Sequence, residues 1–189
     1  MARSSTDRRV RYTKAALRDA LVEQMQDRHI SAITVKSLCE QADVNRSTFY
    51  LHYRDQYDLL KQVEAEVLDT LRERLDKQAE LDSRGPVSLS AMTGIMEYAR
   101  ENAALARALL SENSDIGFKQ DVMQLAHLVD TSIASAYDQR VREYIATYAV
   151  HGAIAVAEKW LRDGTREPTG QIAQLLTQLV SGSIAGFTK

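Results

Sequence analysis

Apolar residues recur every third or fourth position along most of the chain, the spacing that gathers them on one side of an α-helix. In residues 13–29, Ala16/Leu17, Ala20/Leu21 and Met25 keep this spacing, and Thr13 is the predicted N-cap. A shorter segment, "TVKSLCEQA", opens on Thr34 as a cap and turns Val35, Leu38, Cys39 and Ala42 inward. "DVN" then makes a tight turn, and Asn45 caps "RSTFYLHY". From Asp55 a long helix carries Leu59/Leu60, Val63, Val67, Leu71 and Leu75 as one stripe. Its charged residues Glu64, Glu66, Arg72, Glu73 and Arg74 read as the solvated face. Gly85 and Pro86 supply the first strong break, in "DSRGPVS". Helical patterns resume over 89–101, 103–112, 118–138, 141–164 and 171–187, with Gly164 placed as a C′ residue and Pro168 separating the last two.

Composition supports the same picture. Only eight glycines and two prolines interrupt 189 residues rich in Ala, Leu, Glu, Arg and Gln, which predicts an all-α protein of about nine helices. No apolar run approaches the length of a membrane span, and residues 1–10 are polar, so the expected location is the cytoplasm with no membrane partner. The single cysteine, Cys39, has no partner for an internal disulfide and is expected to be a small buried apolar residue. No repeat or low-complexity tract is present.

Charge changes the picture at one end. Residues 1–18 hold six basic side chains, Arg3, Arg8, Arg9, Arg11, Lys14 and Arg18, against Asp7 alone, although the whole chain carries −2. A basic arm before a balanced chain is a footprint expected for a polyanion. The two short helices beyond it, joined by a three-residue turn, make a helix-turn-helix arrangement. In the second, Phe49 and Tyr53 share one face and can pack inward, while Arg46, Ser47, Thr48, Tyr50 and His52 project outward. Arginine can hydrogen-bond a guanine edge through two donors, and the others reach phosphates or bases. The segment reads as a recognition helix for a DNA groove.

Residues 13–60, with "ITVKSLCEQA", "VNRSTFY", "HY" and "DLL", resemble the DNA-binding domain of TetR-family transcriptional regulators. The resemblance covers about residues 9–70 and implies a three-helix DNA-binding domain there. A long helix would join it to a C-terminal helical bundle, residues 71–189, for effector binding and dimerisation. Carried over residue by residue, it puts Thr34 and His52 on phosphates, Arg46, Ser47 and Thr48 on bases, and Tyr50 on either. Two positions depart from the family pattern. Asp43 stands where glycine is usual at the turn, and Gln56 stands where many relatives have a phosphate-binding lysine, with Arg54 nearby as a substitute. The segment "YAVHGAIAVAEKWLRDG" is similar to a branch that includes regulators of dihydroxyacetone kinase operons, some of which act as coactivators.

Elsewhere the chain offers little for catalysis. The four histidines, His29, His52, His127 and His151, stand in no HExxH arrangement, and no glycine-rich phosphate loop exists. No enzymatic activity, catalytic residue, metal site or cofactor is expected. In 144–161 both helix faces are apolar: Tyr144, Tyr148, Gly152, Val156 and Trp160 trace one, Ala146, Val150, Ile154, Ala157 and Leu161 the other. A helix apolar on both sides is expected to be buried on both sides. The expected homodimer seam is therefore Gly152, Ala155 and Val156, with Leu175 and Leu179 of the last helix. An effector pocket is expected among Met92, Met96, Tyr98, Met123, His127, Tyr144, Tyr148, His151 and Trp160. The expectation is a homodimeric repressor that binds a palindromic operator on double-stranded DNA and is released by a small molecule. A coactivator with a protein partner and no effector, and a helical protein–protein adaptor, are the alternatives.

Overall fold

The scarcity of breakers translates into nine α-helices among the residues that a computed structural model describes, 2–79, 88–114, 116–127 and 138–185. Among these residues there is no strand. In order, the helices are α1 (Ala2–Met25), α2 (Val35–Ala42), α3 (Arg46–Tyr50), α4 (Gln56–Ala79) and α5 (Leu89–Glu101). α6 (Ala103–Leu110), α7 (Ile116–His127), α8 (Gln139–Arg162) and α9 (Thr169–Ala185) follow. A 3-10 turn, Ile30–Ala32, links α1 to α2 and buries Ile30.

α1 corrects one expectation. Thr13 is not an N-cap but a buried residue in mid-helix, because the helix already runs from Ala2. No glycine or proline interrupts residues 2–12, and arginine and alanine favour the helix, so the basic arm continues α1. The other caps fall where the sequence placed them. Thr34 Oγ1 accepts from the Ser37 N–H at 3.1 Å while Ser37 Oγ accepts from the Thr34 N–H at 3.3 Å, a reciprocal capping box. Asn45 Oδ1 accepts from the Ser47 N–H at 2.9 Å, and Asp55 Oδ1 accepts from the Asp58 N–H at 2.8 Å. α8 stops at Arg162 with Asp163 as its C-cap, and Gly164 follows as the C′ residue with φ +85°.

Two apolar cores organise the packing. The first joins Leu17, Leu21 and Met25 of α1 to Leu38, Phe49 and Tyr53, and to Leu59, Leu60 and Val63 of α4. It also takes in Ala108, Leu109 and Phe118, so α6 and α7 help to close it. The second gathers Met96, Ala157, Trp160, Leu161, Ile172, Ala173 and Leu176 between α5, α8 and α9.

α4 departs from its expected solvated face at two positions. Glu64 is buried, and Ser114 Oγ donates to its Oε1 at 3.5 Å. Arg74 is half-buried: its Nη1 donates to the Gly94 carbonyl at 2.9 Å, and its guanidinium lies 5.1 Å from the Tyr98 ring centroid. Both side chains are reached by elements far along the chain, which no local periodicity reports. Glu66, Arg72 and Glu73 are exposed, as expected.

The turn after α6 holds the N-terminal helices against the bundle through polar contacts. Asn113 Nδ2 donates to the Met25 carbonyl at 3.1 Å, and the Ile30 N–H donates to the Asn113 carbonyl at 3.0 Å. Gln26 Nε2 adds a bond to the Ala104 carbonyl at 3.0 Å. The end of α1 is thus fastened to α6 as well as to α2 and α4.

Candidate nucleic-acid interface

The geometry of α3 begins with the turn before it. Asp43 adopts φ 52°, ψ 44°, the left-handed conformation that an L-residue enters at a cost and that Asp tolerates better than most. Its N–H and that of Val44 both return to the Cys39 carbonyl, which closes the end of α2. The turn therefore keeps the shape that glycine would give it.

α3 is anchored by aromatic rings. Phe49 is fully buried and Tyr53 nearly so, with ring centroids 5.5 Å apart. Full burial of a phenylalanine contributes about 1.5–3 kcal/mol. Lys14 of α1 places its ammonium 5.8 Å from the Tyr53 ring centroid. Burial, reinforced by Glu66 and Asp58 and opposed by Arg18, pushes the Tyr53 hydroxyl up to about 12. α3 itself is short; after Tyr50 the chain continues as a turn, in which the His52 and Tyr53 N–H groups both bond to the Phe49 carbonyl.

With Phe49 and Tyr53 inward, Arg46, Ser47 and Tyr50 are exposed, and Thr48 and His52 are half-buried. Tyr50 sets its ring edge-on to Phe49 at 5.6 Å between centroids, so an exposed side chain is held by a buried one. Arg46 and Ser47 open α3, where backbone N–H groups add positive potential. Thr34, also exposed, sits at the N-terminus of α2. Arg54 is highly exposed, and its guanidinium stands 3.7 Å from Asp58. The Arg54 N–H on Asp58, together with that guanidinium and a bond from Gln62, holds the Asp58 carboxyl below the usual carboxylate range. Arg54 thus comes to the surface with its charge partly countered. Sequence reasoning passed over one residue here. Leu51, next to Tyr50, is 79% exposed. It lies two residues beyond Phe49, about 200° round the helix and so on the opposite side, and that phase was the available signal.

The residues expected to line a pocket are not gathered at one place. Met96 and Trp160 belong to the second core, with Met92 against it, and Trp160 Nε1 donates to the Glu167 carbonyl at 3.1 Å. Tyr98 packs on the first core and under Arg74. Met123 lies half-buried on α7, and the His127 side chain lies outside the described residues. Tyr144, Tyr148 and His151 face outward on α8, with His151 Nδ1 bonded to the Thr147 carbonyl at 2.7 Å. Gly152, Ala155, Leu175 and Leu179 are exposed as well, and Val156 is half-buried. The two-sided apolar pattern of α8 thus resolves into an inner face and an outer one: Ala149, Ala157, Trp160 and Leu161 are covered within the chain, and Tyr144 and Tyr148 are not.

Cys39 is buried, and its burial pushes the thiol up, against a smaller opposing pull from Arg46. Among the described residues no cluster of His, Cys, Asp and Glu could hold a metal, and no helix is long and apolar enough to cross a membrane.

Comparison with known proteins adds to this geometry. A family model described as a transcriptional regulator C-terminal region, of the TetR type, matches residues 88–182. An uncharacterized HTH-type transcriptional regulator of Bacillus subtilis (strain 168), YxbF, is 23% identical over 170 residues. The aligned part is 89% of this chain and 44% of that protein, so the chain spans less than half the length of this relative. Among solved structures, a TetR transcriptional regulator from Streptococcus agalactiae 2603V superposes with a TM-score of 0.62 at 21% identity, covering 98% of this chain and 99% of that one. The dihydroxyacetone kinase operon activator DhaS gives 0.59 at 14% identity, over 94% and 98%. FadR from Bacillus subtilis, solved with stearoyl-CoA, gives 0.61 at 16%, over 89% and 98%. At such identities the structural likeness is one of fold.

Proposed function

Because the chain belongs to the TetR family of transcriptional regulators, we propose that it acts in the cytoplasm as a homodimer that reads a palindromic operator on duplex DNA. One observation carries the DNA reading: an aromatic-anchored helix, capped by Asn45, presents Arg46 and Ser47 to solvent at its positive end and Tyr50 at its last position. Thr34, His52 and Arg54 take phosphates, with Thr48 at the edge of the base-reading surface. The basic residues of α1 add sequence-independent attraction. The exposed side of α8 and α9, with Gly152, Ala155, Val156, Leu175 and Leu179, is the proposed seam between two copies, which sets the spacing of two recognition helices. In this reading the protein is a repressor, and a small molecule bound in the C-terminal helices releases it.

The dispersal of the expected pocket residues favours a second reading for the C-terminal region. There it engages a protein partner and takes no effector, and the regulator is a coactivator. The dihydroxyacetone kinase operon activator DhaS has the same fold. Gel-shift measurements with the DNA upstream of the protein's own gene, across a salt series, test the shared part. Sequence-selective, salt-sensitive retardation is expected, and equal affinity for every duplex defeats it. Thermal-shift screening of small molecules then separates the two readings of the C-terminal helices.

A further inference from the structure

The outward crest of α3 ends in a residue that the hydrogen-bonding scheme above does not use. An α-helix turns about 100° per residue, so the side opposite Phe49 and Tyr53 is occupied by positions 47 and 51. Leu51 keeps right-handed helical dihedrals, φ −72° and ψ −21°, and therefore stays in phase with α3. Ser47 and Leu51, four apart, form the crest, with Arg46 and Tyr50 on one flank and Thr48 on the other. Among the described residues no large apolar side chain is more exposed than Leu51. Its exposure means that packing within the chain does not account for a leucine there, and a polar side chain would be better solvated.

A duplex supplies what the chain does not. In the major groove the thymine C5-methyl is the apolar group that a base pair displays, and contact with an apolar side chain is how it is read. We propose that Leu51 packs on a thymine methyl in each half-site and so sets a preference for T·A over the other pairs at that position. The proposal rests on the DNA reading of α3. It gives the helix two kinds of reader, hydrogen-bonding side chains at its first turn and an apolar one at its C-cap.

Deoxyuridine tests this directly, because it keeps every hydrogen-bonding group of thymidine and lacks only the methyl. The full chain is first used to select its preferred duplex from a randomised pool, and each thymidine of that duplex is then replaced in turn. One replacement per half-site is expected to weaken binding about fourfold, the worth of one buried methyl group. Leu51→Ala should bind the thymidine duplex more weakly by a similar factor and be indifferent to the same replacement. Its melting temperature should match the parent, since the removed atoms touch solvent. Insensitivity of the parent to every replacement, or an unchanged sensitivity in Leu51→Ala, overturns the proposal. Selection of no preferred sequence at all overturns the DNA reading beneath it.

Discussion

Two stretches of helix stand open to solvent in this chain, and they are made of opposite materials. α3 shows Arg46, Ser47 and Tyr50, with a single leucine on its crest. The outer side of α8 and α9 shows Tyr144 and Tyr148, 68% and 71% exposed, beside Gly152, Ala155, Leu175 and Leu179. Phe49 is buried behind the first, and Trp160 is buried with the core between α5, α8 and α9 in the second. Exposure is therefore not one condition. A cationic and hydroxyl-bearing surface at a helix N-terminus suits phosphate and base edges, whereas small and aromatic residues on long helices suit a like surface.

The largest effect that can separate the two comes from the anchor of the first. Phe49→Ala empties a fully buried site and is expected to cost ~3–5 kcal/mol, seen as a lowered melting temperature and lost DNA binding. Sedimentation should still report the parent's association state, because α8 and α9 do not rest on that ring. If association is lost as well, the two surfaces are not independent.

Gly152→Leu examines the other side. A Cβ built at Gly152 meets nothing within 4 Å inside the chain, so the fold should tolerate it. Monomers are expected in sedimentation, with operator affinity reduced by about a hundredfold through loss of paired binding. A dimer that survives this substitution moves the seam elsewhere.

Arg46→Ala is a smaller and more local change. It should cost ~1–3 kcal/mol of specific binding and relax preference at one base pair, without altering association or melting. A uniform loss over all sequences would mean that Arg46 meets phosphate instead.

Two stability tests sharpen the local chemistry of the first surface. Asp43→Gly relieves a left-handed residue and should raise the unfolding free energy by about 0.5–1 kcal/mol in urea titration. Tyr53 supplies a pH dependence of known sign. Its hydroxyl titrates at about 12 in the folded chain, above its ordinary value of 10, so the unfolded chain ionises first. The stabilisation is complete below pH 10 and is lost as pH climbs toward 12. Tyr53→Phe should flatten that alkaline fall in the urea midpoint.

Much of the fold was legible because its signals are local. Thr34, Asn45 and Gly164 act within a few residues of themselves, and the spacing of Phe49 and Tyr53 already names the buried side of α3. Thr13 shows the limit of such signals. A cap residue marks a boundary only where the preceding chain does not continue the helix, and nothing in residues 2–12 stops it. Glu64 and Arg74 were misread for another reason. Periodicity tells which residues share a face of α4, but Ser114 and Gly94 approach from beyond the next break in sequence. The pocket residues failed to gather for the same cause: methionines and tyrosines at helical spacing do not say which helix lies opposite.

The fastening of Asn113 to Met25 and Ile30 bears on how such a regulator can be rebuilt. A chimera that grafts residues 1–79 onto a foreign bundle discards Asn113, together with Ala108, Leu109 and Phe118 from the first core. The transplanted unit would present an open apolar cleft and two unfilled main-chain bonding positions, the Met25 carbonyl at the end of α1 and the Ile30 N–H in the turn after it. A graft that carries α6 and α7 along, or copies those four side chains into its host, keeps the unit closed. The proposed DNA-reading unit of this chain is thus a discontinuous module, assembled from two separated stretches of sequence.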